Sequence, residues 1–497
     1  MNLMMLLEMA SMGQGERRAV SGSGATLTGE ELFHRAGVAA AQLRADGVGT
    51  LAYLAPNHPS YAVAMFAAAW AGVPFVPLNY RLATDQIVGL LDNHDDVAVV
   101  VDDADRISLG NSKHQVLDLT SWFAGLADGD VAADPWGDDG DDIAILLYTS
   151  GTTAAPKAAI LRQRHLVSYI LGSVEFGGAA EDDAALVSVP PYHIAGVANL
   201  LSNLYAGRHI VYLDAFTPDS WLETVRREHV TQAMVVPTML ARIVQSLEGA
   251  VDAGVPDLRA LSYGGSRMPI TVLSRALELF PTTGFVNAYG LTETSSTIAV
   301  LGPDDHRAAL DSNDPKARAR LGSVGQLLPG VEVQIRRPDD SVADPEEAGE
   351  LWVRGEQVSG EYLARESPLD AEGWFPTKDR AYIDADGYLF IEGRTDDTII
   401  RGGENIAPAE IEDILLRHEG VAEAAVVGPP DDEWGQRLVA VVVALPNHSV
   451  DPENLRQWAK TQLRSSKTPD EILVWDELPQ TATGKVIRRQ ILARLEG

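Results

Sequence analysis

The 497-residue chain contains no cysteine. Disulfides, thiolate metal sites and cysteine nucleophiles are therefore excluded at the outset. Basic residues are scarce as well: 39 Lys and Arg stand against 71 Asp and Glu, giving a formal charge of −32. A general nucleic-acid surface needs clustered cations, and this balance argues against one. No stretch reaches the ~20 uninterrupted apolar residues of a membrane-spanning helix; even Tyr61 to Val76 is too short and too rich in alanine. The apolar start MNLMMLLEMASM lacks the basic residues that open a signal peptide and carries Glu8 inside the run. An amphipathic first helix is expected there, and a cytoplasmic location by default.

What is present is the composition of a folded globular protein, 45% hydrophobic and 22% charged, in a chain long enough for two or three domains. Short β-branched runs alternate with helical patterns: Leu51 to Leu54, a helix near Ser60 to Ala71, a strand at Phe75 to Pro77, a helix near Thr84 to Asn93, then Ala98 to Val101. That alternation predicts βαβ units and mainly parallel sheets. The acidic, glycine-containing segment Asp128 to Asp142 reads as a surface connection. From Gly349 the texture changes to strand-like pieces, Glu350 to Arg354 and Tyr388 to Ile391, with a break at Gly393-Arg394. Beyond it, a helix at Pro408 to Leu416 and a strand at Gln436 to Ala444 suggest a small α+β unit.

Residues Tyr148 to Ile160 read YTSGTTAAPKAAI. Thr149, Ser150, Thr152 and Thr153 supply hydroxyls, Gly151 a flexible backbone and Lys157 a mobile cation, a set suited to surrounding a polyphosphate. It is not the Walker loop, because Ala158 rather than Ser or Thr follows the lysine. A Ser/Thr-rich turn would read the same way, so this segment alone leaves function open. Asn287 to Ser296 (NAYGLTETSS) adds an aromatic ring in Tyr289, a tight turn at Gly290, a hydroxyl in Thr292, and in Glu293 a carboxylate able to hold Mg²⁺ beside phosphates. Pro479 to Arg489 (PQTATGKVIRR) places Lys485 directly after a glycine, and between these lie TKD at 377 to 379 and GRTDDTIIRGGEN at 393 to 405.

On these residues the chain resembles the adenylate-forming superfamily of acyl-CoA synthetases, luciferases and peptide-synthetase adenylation domains, closest to the acyl-CoA ligases. The resemblance covers nearly the whole chain, including LAPN at 54 to 57, GVPFVPLNYRL at 72 to 82, PPYHIAG at 190 to 196 and YGGSRMP at 263 to 269. It implies an α/β fold with a large N-terminal domain of packed α/β subdomains (1–395) and a small mobile α+β C-terminal domain (396–497). It also implies two half-reactions in one site. ATP and a carboxylic acid give acyl-adenylate and pyrophosphate; the small domain then rotates about a hinge at Asp396, and CoA attacks the adenylate.

By the same resemblance, Lys485 is the cation of the first step, Glu293 the Mg²⁺ carboxylate and Thr292 a phosphate contact. Tyr289 faces adenine, with Asn287, Ala288, Gly290, Gly264, Gly265 and Ser266 around it. Asp379 holds the ribose hydroxyls with Arg394 as its partner. His193, Ala195 and Gly196 line the acyl pocket, a satisfied core histidine being the alternative for His193. Gly402, Gly403 and Glu404 line the CoA tunnel. The segment around His193 lacks the aspartate with which amino-acid-activating relatives bind an α-ammonium, which argues against an amino-acid substrate.

Three positions depart from the pattern: Ala154 and Ala158 stand where the phosphate loop has glycines, and Lys378 replaces the glycine before Asp379. Alanine at a positive φ costs about 1 to 2 kcal/mol, and a reacting group misplaced by ~1 Å can lose 10²-fold in rate. The expectation is that acyl-adenylate plus CoA still gives acyl-CoA plus AMP, while ATP-dependent adenylation is weak or lost and a separate adenylating enzyme supplies the adenylate. The competing readings are a complete ATP-dependent synthetase, acyl delivery to a carrier protein, and a non-catalytic nucleotide- or adenylate-binding protein.

Overall fold

The computed structural model describes residues 1–102, 114–149, 157–401, 404–431, 434–446, 448–481 and 484–496. Two mixed sheets form the body of a large N-terminal domain. In one, the order runs Glu361–Tyr362, Lys157–Arg162, Ile143–Thr149, Phe75–Pro77, Thr50–Leu54, Val97–Val101, Gln115–Asp118. Its five strands from Ile143–Thr149 onward are parallel, and the first two are antiparallel additions. All five residues of Thr50–Leu54 and of Val97–Val101 are buried, as parallel strands covered on both faces require. The second sheet has nine strands, with a parallel centre containing Gln232–Val235, Ala260–Gly264 and Gly284–Leu291, continued by the antiparallel strands Ser296–Leu301 and, at the edge, Gln326–Leu327.

Helix Ser60–Ala71 is buried at every position but its last, and its alanines let it pack against helix Gly29–Ala45. It stops where Gly72 takes φ +79°, a left-handed conformation that glycine adopts without penalty. From this helix Tyr61 packs edge to face on Tyr53 and Phe75, at 5.3 Å and 5.4 Å between centroids. The apolar N-terminus is the helix Met4–Gln14, which buries Met4, Leu6, Leu7 and Ala10 against helices Gly29–Ala45 and Ile194–Ala206. Among the described residues no helix is long and apolar enough to cross a membrane.

A four-stranded antiparallel sheet, Glu332–Arg336, Gly349–Arg354, Phe375–Ile383 and Leu389–Arg394, follows. The break expected at Gly393-Arg394 falls later, because both residues still pair with the neighbouring strand and the chain turns only at Thr395–Asp397. Beyond the turn, the small C-terminal domain has its own three-stranded sheet, Val421–Val427, Val439–Ala444 and Glu471–Val474. No strand past Thr395 joins an N-terminal sheet among the described residues. Its helix Pro408–Leu415 buries Ile411 and Leu415 in the same apolar cluster as Val426 and Val442.

Candidate active site

A cavity of about 1460 Å³ opens between the two domains, large enough for a nucleotide and an acyl group together. Its wall brings together Gly264, Gly265, Ser266, Asn287, Ala288, Tyr289, Gly290, Asp379, Arg394 and Lys485, all anticipated from sequence. The parallel strands Ala260–Gly264 and Gly284–Leu291 are neighbours, so the first two motifs meet at their carboxyl ends. That is where open α/β sheets place ligands. The Tyr289 hydroxyl donates to Asp379 Oδ2 at 2.5 Å, and Arg394 Nη1 donates to Asp379 Oδ1 at 3.2 Å and to the Thr377 carbonyl at 2.9 Å. Burial pushes the Asp379 carboxyl up, against the pull of Arg394, the Tyr289 hydroxyl and Lys485.

Gly290 is not in a tight turn, as the sequence suggested, but at a bulge in its strand, where the register slips between Tyr289 and Gly290. A Cβ on it would lie 1.7 Å from the Ser296 carbonyl oxygen, which is backbone and cannot swing aside. Gly290→Ala is therefore expected to lower stability by about 1 to 3 kcal/mol and to displace Tyr289, measurable as a lower urea midpoint and weaker AMP binding.

Lys485 reaches the cavity from the C-terminal domain. Its loop is closed by Thr481, which accepts the Lys485 N–H on its Oγ1 at 3.1 Å and donates its own N–H to the Lys485 carbonyl at 2.8 Å. Gly484, at φ +75°, seats this loop on helix Pro237–Ser246: a Cβ there would fall 2.2 Å from Thr238 Cγ2. Lys485 is exposed within the cavity, whose walls crowd around it. Burial lowers its pKa, Arg394 lowers it further, and Asp379 and Asp397 oppose the shift. Three residues on, Arg488 donates to Glu412 Oε1 at 2.6 Å and to Asp397 Oδ2 at 3.2 Å, tying the lysine segment to the turn that holds the exposed Asp396. Between the domains, Arg267 bonds to Asp413.

Lys157 opens the strand Lys157–Arg162 and Thr149 closes the strand paired with it; neither of them, nor Thr292 or Glu293, is in the wall of this cavity. Ser150, Gly151, Thr152, Thr153 and Ala154 lie outside the described residues, as do Gly402 and Gly403. Ala158 is buried inside a strand, paired with Tyr148, and not at a positive φ. Glycine's freedom is therefore not needed at 158, contrary to the expectation that alanine there strains the turn. Lys378 does occupy the left-handed region at φ +64°, but its ammonium lies 3.3 Å from Glu350 and does not crowd Asp379.

Thr292 and Glu293 begin the short turn Thr292–Thr294. The Glu293 side chain accepts a hydrogen bond from Tyr362 at 2.6 Å on Oε1, and burial and the Glu293 charge push the Tyr362 phenol well up. Among the described residues no three His, Cys, Asp or Glu are grouped to hold a metal by themselves. Glu293 with a nucleotide's phosphates is the arrangement Mg²⁺ ordinarily uses.

His193, Ala195 and Gly196 do not line this cavity. His193 precedes helix Ile194–Ala206, its ring 4.6 Å from Tyr192, and burial followed by the Arg81 charge lowers its pKa to about 4. Its Nε2 is buried without a hydrogen-bond partner among the described residues. Gly196 lets the helix meet Pro190 and Pro191, which a Cβ would approach to 3.0 Å. Glu404 is exposed, in a ribbon opposite Arg401, and is likewise absent from the cavity wall. Sequence reasoning missed Tyr362, Thr238, Arg267 and Arg488. Arg488 and Arg267 had a signal, each lying in a recognisable run, PQTATGKVIRR and YGGSRMP.

A nucleotide-sized cavity between two domains, with a buried aspartate–arginine pair on one side and a lysine delivered from the other, defines an enzyme that activates its substrate with a nucleotide. Comparison with known sequences agrees: the profile of AMP-binding enzymes matches residues 7–363, and that of the AMP-binding enzyme C-terminal domain matches residues 410–485. The chain belongs to the AMP-binding enzyme family, and within it is an acyl-CoA ligase that works through an acyl-adenylate. It is 33% identical over 484 residues to a feruloyl-CoA synthase of an Amycolatopsis species, covering 96% of this chain and 95% of that protein. It is 32% identical over 486 residues to the 2-succinylbenzoate–CoA ligase of Bacillus subtilis, covering 96% and 95%. The o-succinylbenzoate CoA synthetase of Bacillus subtilis, solved in complex with its acyl-adenylate intermediate, matches with a TM-score of 0.85 at 30% identity over 98% of this chain and 97% of that one. The same synthetase is also solved with ATP and a magnesium ion.

Proposed function

We propose that the protein is a complete ATP-dependent acyl-CoA synthetase, with residues 1–395 forming the nucleotide and acyl site and residues 396–497 a domain that turns about Asp396. The observation that carries this reading is Lys485 standing in the cavity beside Asp379 and Arg394. In the first half-reaction an acid's carboxylate attacks the α-phosphorus of ATP, and pyrophosphate leaves. Two anions must meet, and Lys485 supplies the cation that screens them. Asp379, held by Arg394 and Tyr289, accepts the ribose hydroxyls. The Tyr289 ring meets the adenine, with Gly264, Gly265, Ser266, Asn287 and Ala288 about its edge. Thr149, Ser150, Gly151, Thr152, Thr153 and Lys157 take the phosphates, with Thr292 beside them. Glu293 would hold Mg²⁺, which would supply neutralisation of the polyphosphate charge. In the second half-reaction the CoA sulfur attacks the acyl carbonyl and AMP leaves, with Gly402, Gly403 and Glu404 turned to the tunnel.

A restriction to the second half-reaction loses two of its three grounds. Ala158 is extended and Lys378 points to Glu350, so neither obstructs phosphate or ribose. The test compares thioester formation from acid, ATP and CoA with that from a synthetic acyl-adenylate and CoA, across aromatic and aliphatic acids, since the relatives include feruloyl and 2-succinylbenzoate ligases. Pyrophosphate release keeping pace with thioester formation is expected. A rate from ATP below about a hundredth of that from the adenylate would restore the restricted reading and point to Ala154.

A further inference from the structure

The segment Ser359 to Tyr362 crosses from the antiparallel sheet to the phosphate-loop sheet and ends as a two-residue strand, Glu361 opposite Ile160 and Tyr362 opposite Ala159. Successive side chains on a strand point to opposite faces. Glu361 is held on one face by a bidentate pair with Arg162, at 2.8 and 2.6 Å. Tyr362 is thereby presented on the other, where its hydroxyl donates to Glu293 Oε1 at 2.6 Å and its ring lies 5.6 Å from Lys157 Nζ. The same segment fixes the backbone of Glu293, since its carbonyl accepts from the Ser359 N–H at 2.8 Å and from Ser359 Oγ at 3.2 Å. One stretch of chain therefore grips Glu293 by main chain and side chain and also touches the phosphate-loop lysine.

We propose that Tyr362 is a positioning residue for the metal and phosphate end of the site: it fixes the Glu293 carboxylate so that Oε2 is left for Mg²⁺, and it steadies Lys157 through its ring. The proposal rests on the assignment of Glu293 to the metal. A glutamate on a short turn has three side-chain torsions, and a hydrogen bond to one oxygen removes most of that freedom before the metal arrives. Groups that orient a metal ligand in this way typically affect metal affinity by 10- to 100-fold.

The experiment uses the full-length protein with ATP and Mn²⁺ as the probe, bound metal being followed by electron paramagnetic resonance. Tyr362→Phe keeps the ring and removes only the hydroxyl. It is expected to weaken Mn²⁺ binding in the presence of ATP about tenfold, with AMP affinity in the absence of metal and the unfolding midpoint both close to those of the parent. Glu293→Gln should weaken Mn²⁺ at least as much, and the double variant no further, since the two residues act on one metal contact. If Glu293→Gln weakens the metal and Tyr362→Phe does not, the positioning role fails and the Glu293 assignment stands. If Glu293→Gln itself leaves Mn²⁺ affinity unchanged, the metal assignment fails and the proposal falls with it.

Discussion

Replacing Lys485 with alanine is expected to slow pyrophosphate release from acid and ATP by about 10²- to 10³-fold, the loss seen when a single preorganised electrostatic group is removed from a reacting centre. Thioester formation from a supplied acyl-adenylate should change by less than about threefold, because that step has no polyphosphate to neutralise. The lysine enters from the small domain and sits close enough to Asp379 and Arg394 for each to shift its pKa. Its loop is seated on Thr238 and its following segment is anchored through Arg488 to Asp397, so truncating the side chain leaves the backbone supports in place. Burial and Arg394 lower the lysine's pKa. As pH rises through that depressed value the cation is lost, so adenylation should decline on the alkaline side before an ordinary lysine, near 10.4, would titrate. Thioester formation from the adenylate should lack this limb. Equal losses in both half-reactions would mean that Lys485 maintains the fold or the domain contact and does not act on the triphosphate.

Much of this site was legible because its residues sit in short runs whose types are dictated by local chemistry. Asp379, Arg394, Tyr289 and Lys485 each lie in a segment where a glycine, a hydroxyl or a charge at fixed spacing has few other uses. The strands that carry them were readable too, since buried parallel strands such as Val97–Val101 are apolar at every position. Less legible was anything set by contact between distant segments. Tyr362 is 69 residues from Glu293, on a strand of two residues with no periodicity to mark it. The pairing of Ala158 with Tyr148 turned an expected loop position into strand interior, because register depends on the partner strand as well as on the residue itself. The expected break at Gly393-Arg394 failed for a related reason: glycine permits a turn, but pairing with Asp379 and Arg380 keeps the strand going to Arg394.

Asp379→Ala should weaken AMP binding by on the order of 10²-fold or more, since charge-assisted hydrogen bonds to a buried carboxylate contribute about 1.5 to 3 kcal/mol each and ribose offers two hydroxyls. The carboxylate is buried in the wall of the cavity and held by the Tyr289 hydroxyl at 2.5 Å and Arg394 at 3.2 Å. Those partners make the alanine variant ambiguous on its own, because removing the carboxylate also leaves the Arg394 charge without its counter-ion, which is costly when partly buried. Asp379→Asn separates the two effects. It keeps the shape and one acceptor, so it should preserve most of the folding stability while still losing about tenfold or more in AMP affinity. The decisive comparison uses 2′-deoxy-AMP. If Asp379 accepts the ribose hydroxyls, the parent protein should bind the deoxy nucleotide much more weakly than AMP, and the Asp379→Ala variant should barely distinguish them, giving a coupling energy between residue and hydroxyl. Should both proteins discriminate equally, Asp379 would instead be acting on Tyr289 and Arg394, and the ribose hydroxyls would be held by another group in the cavity.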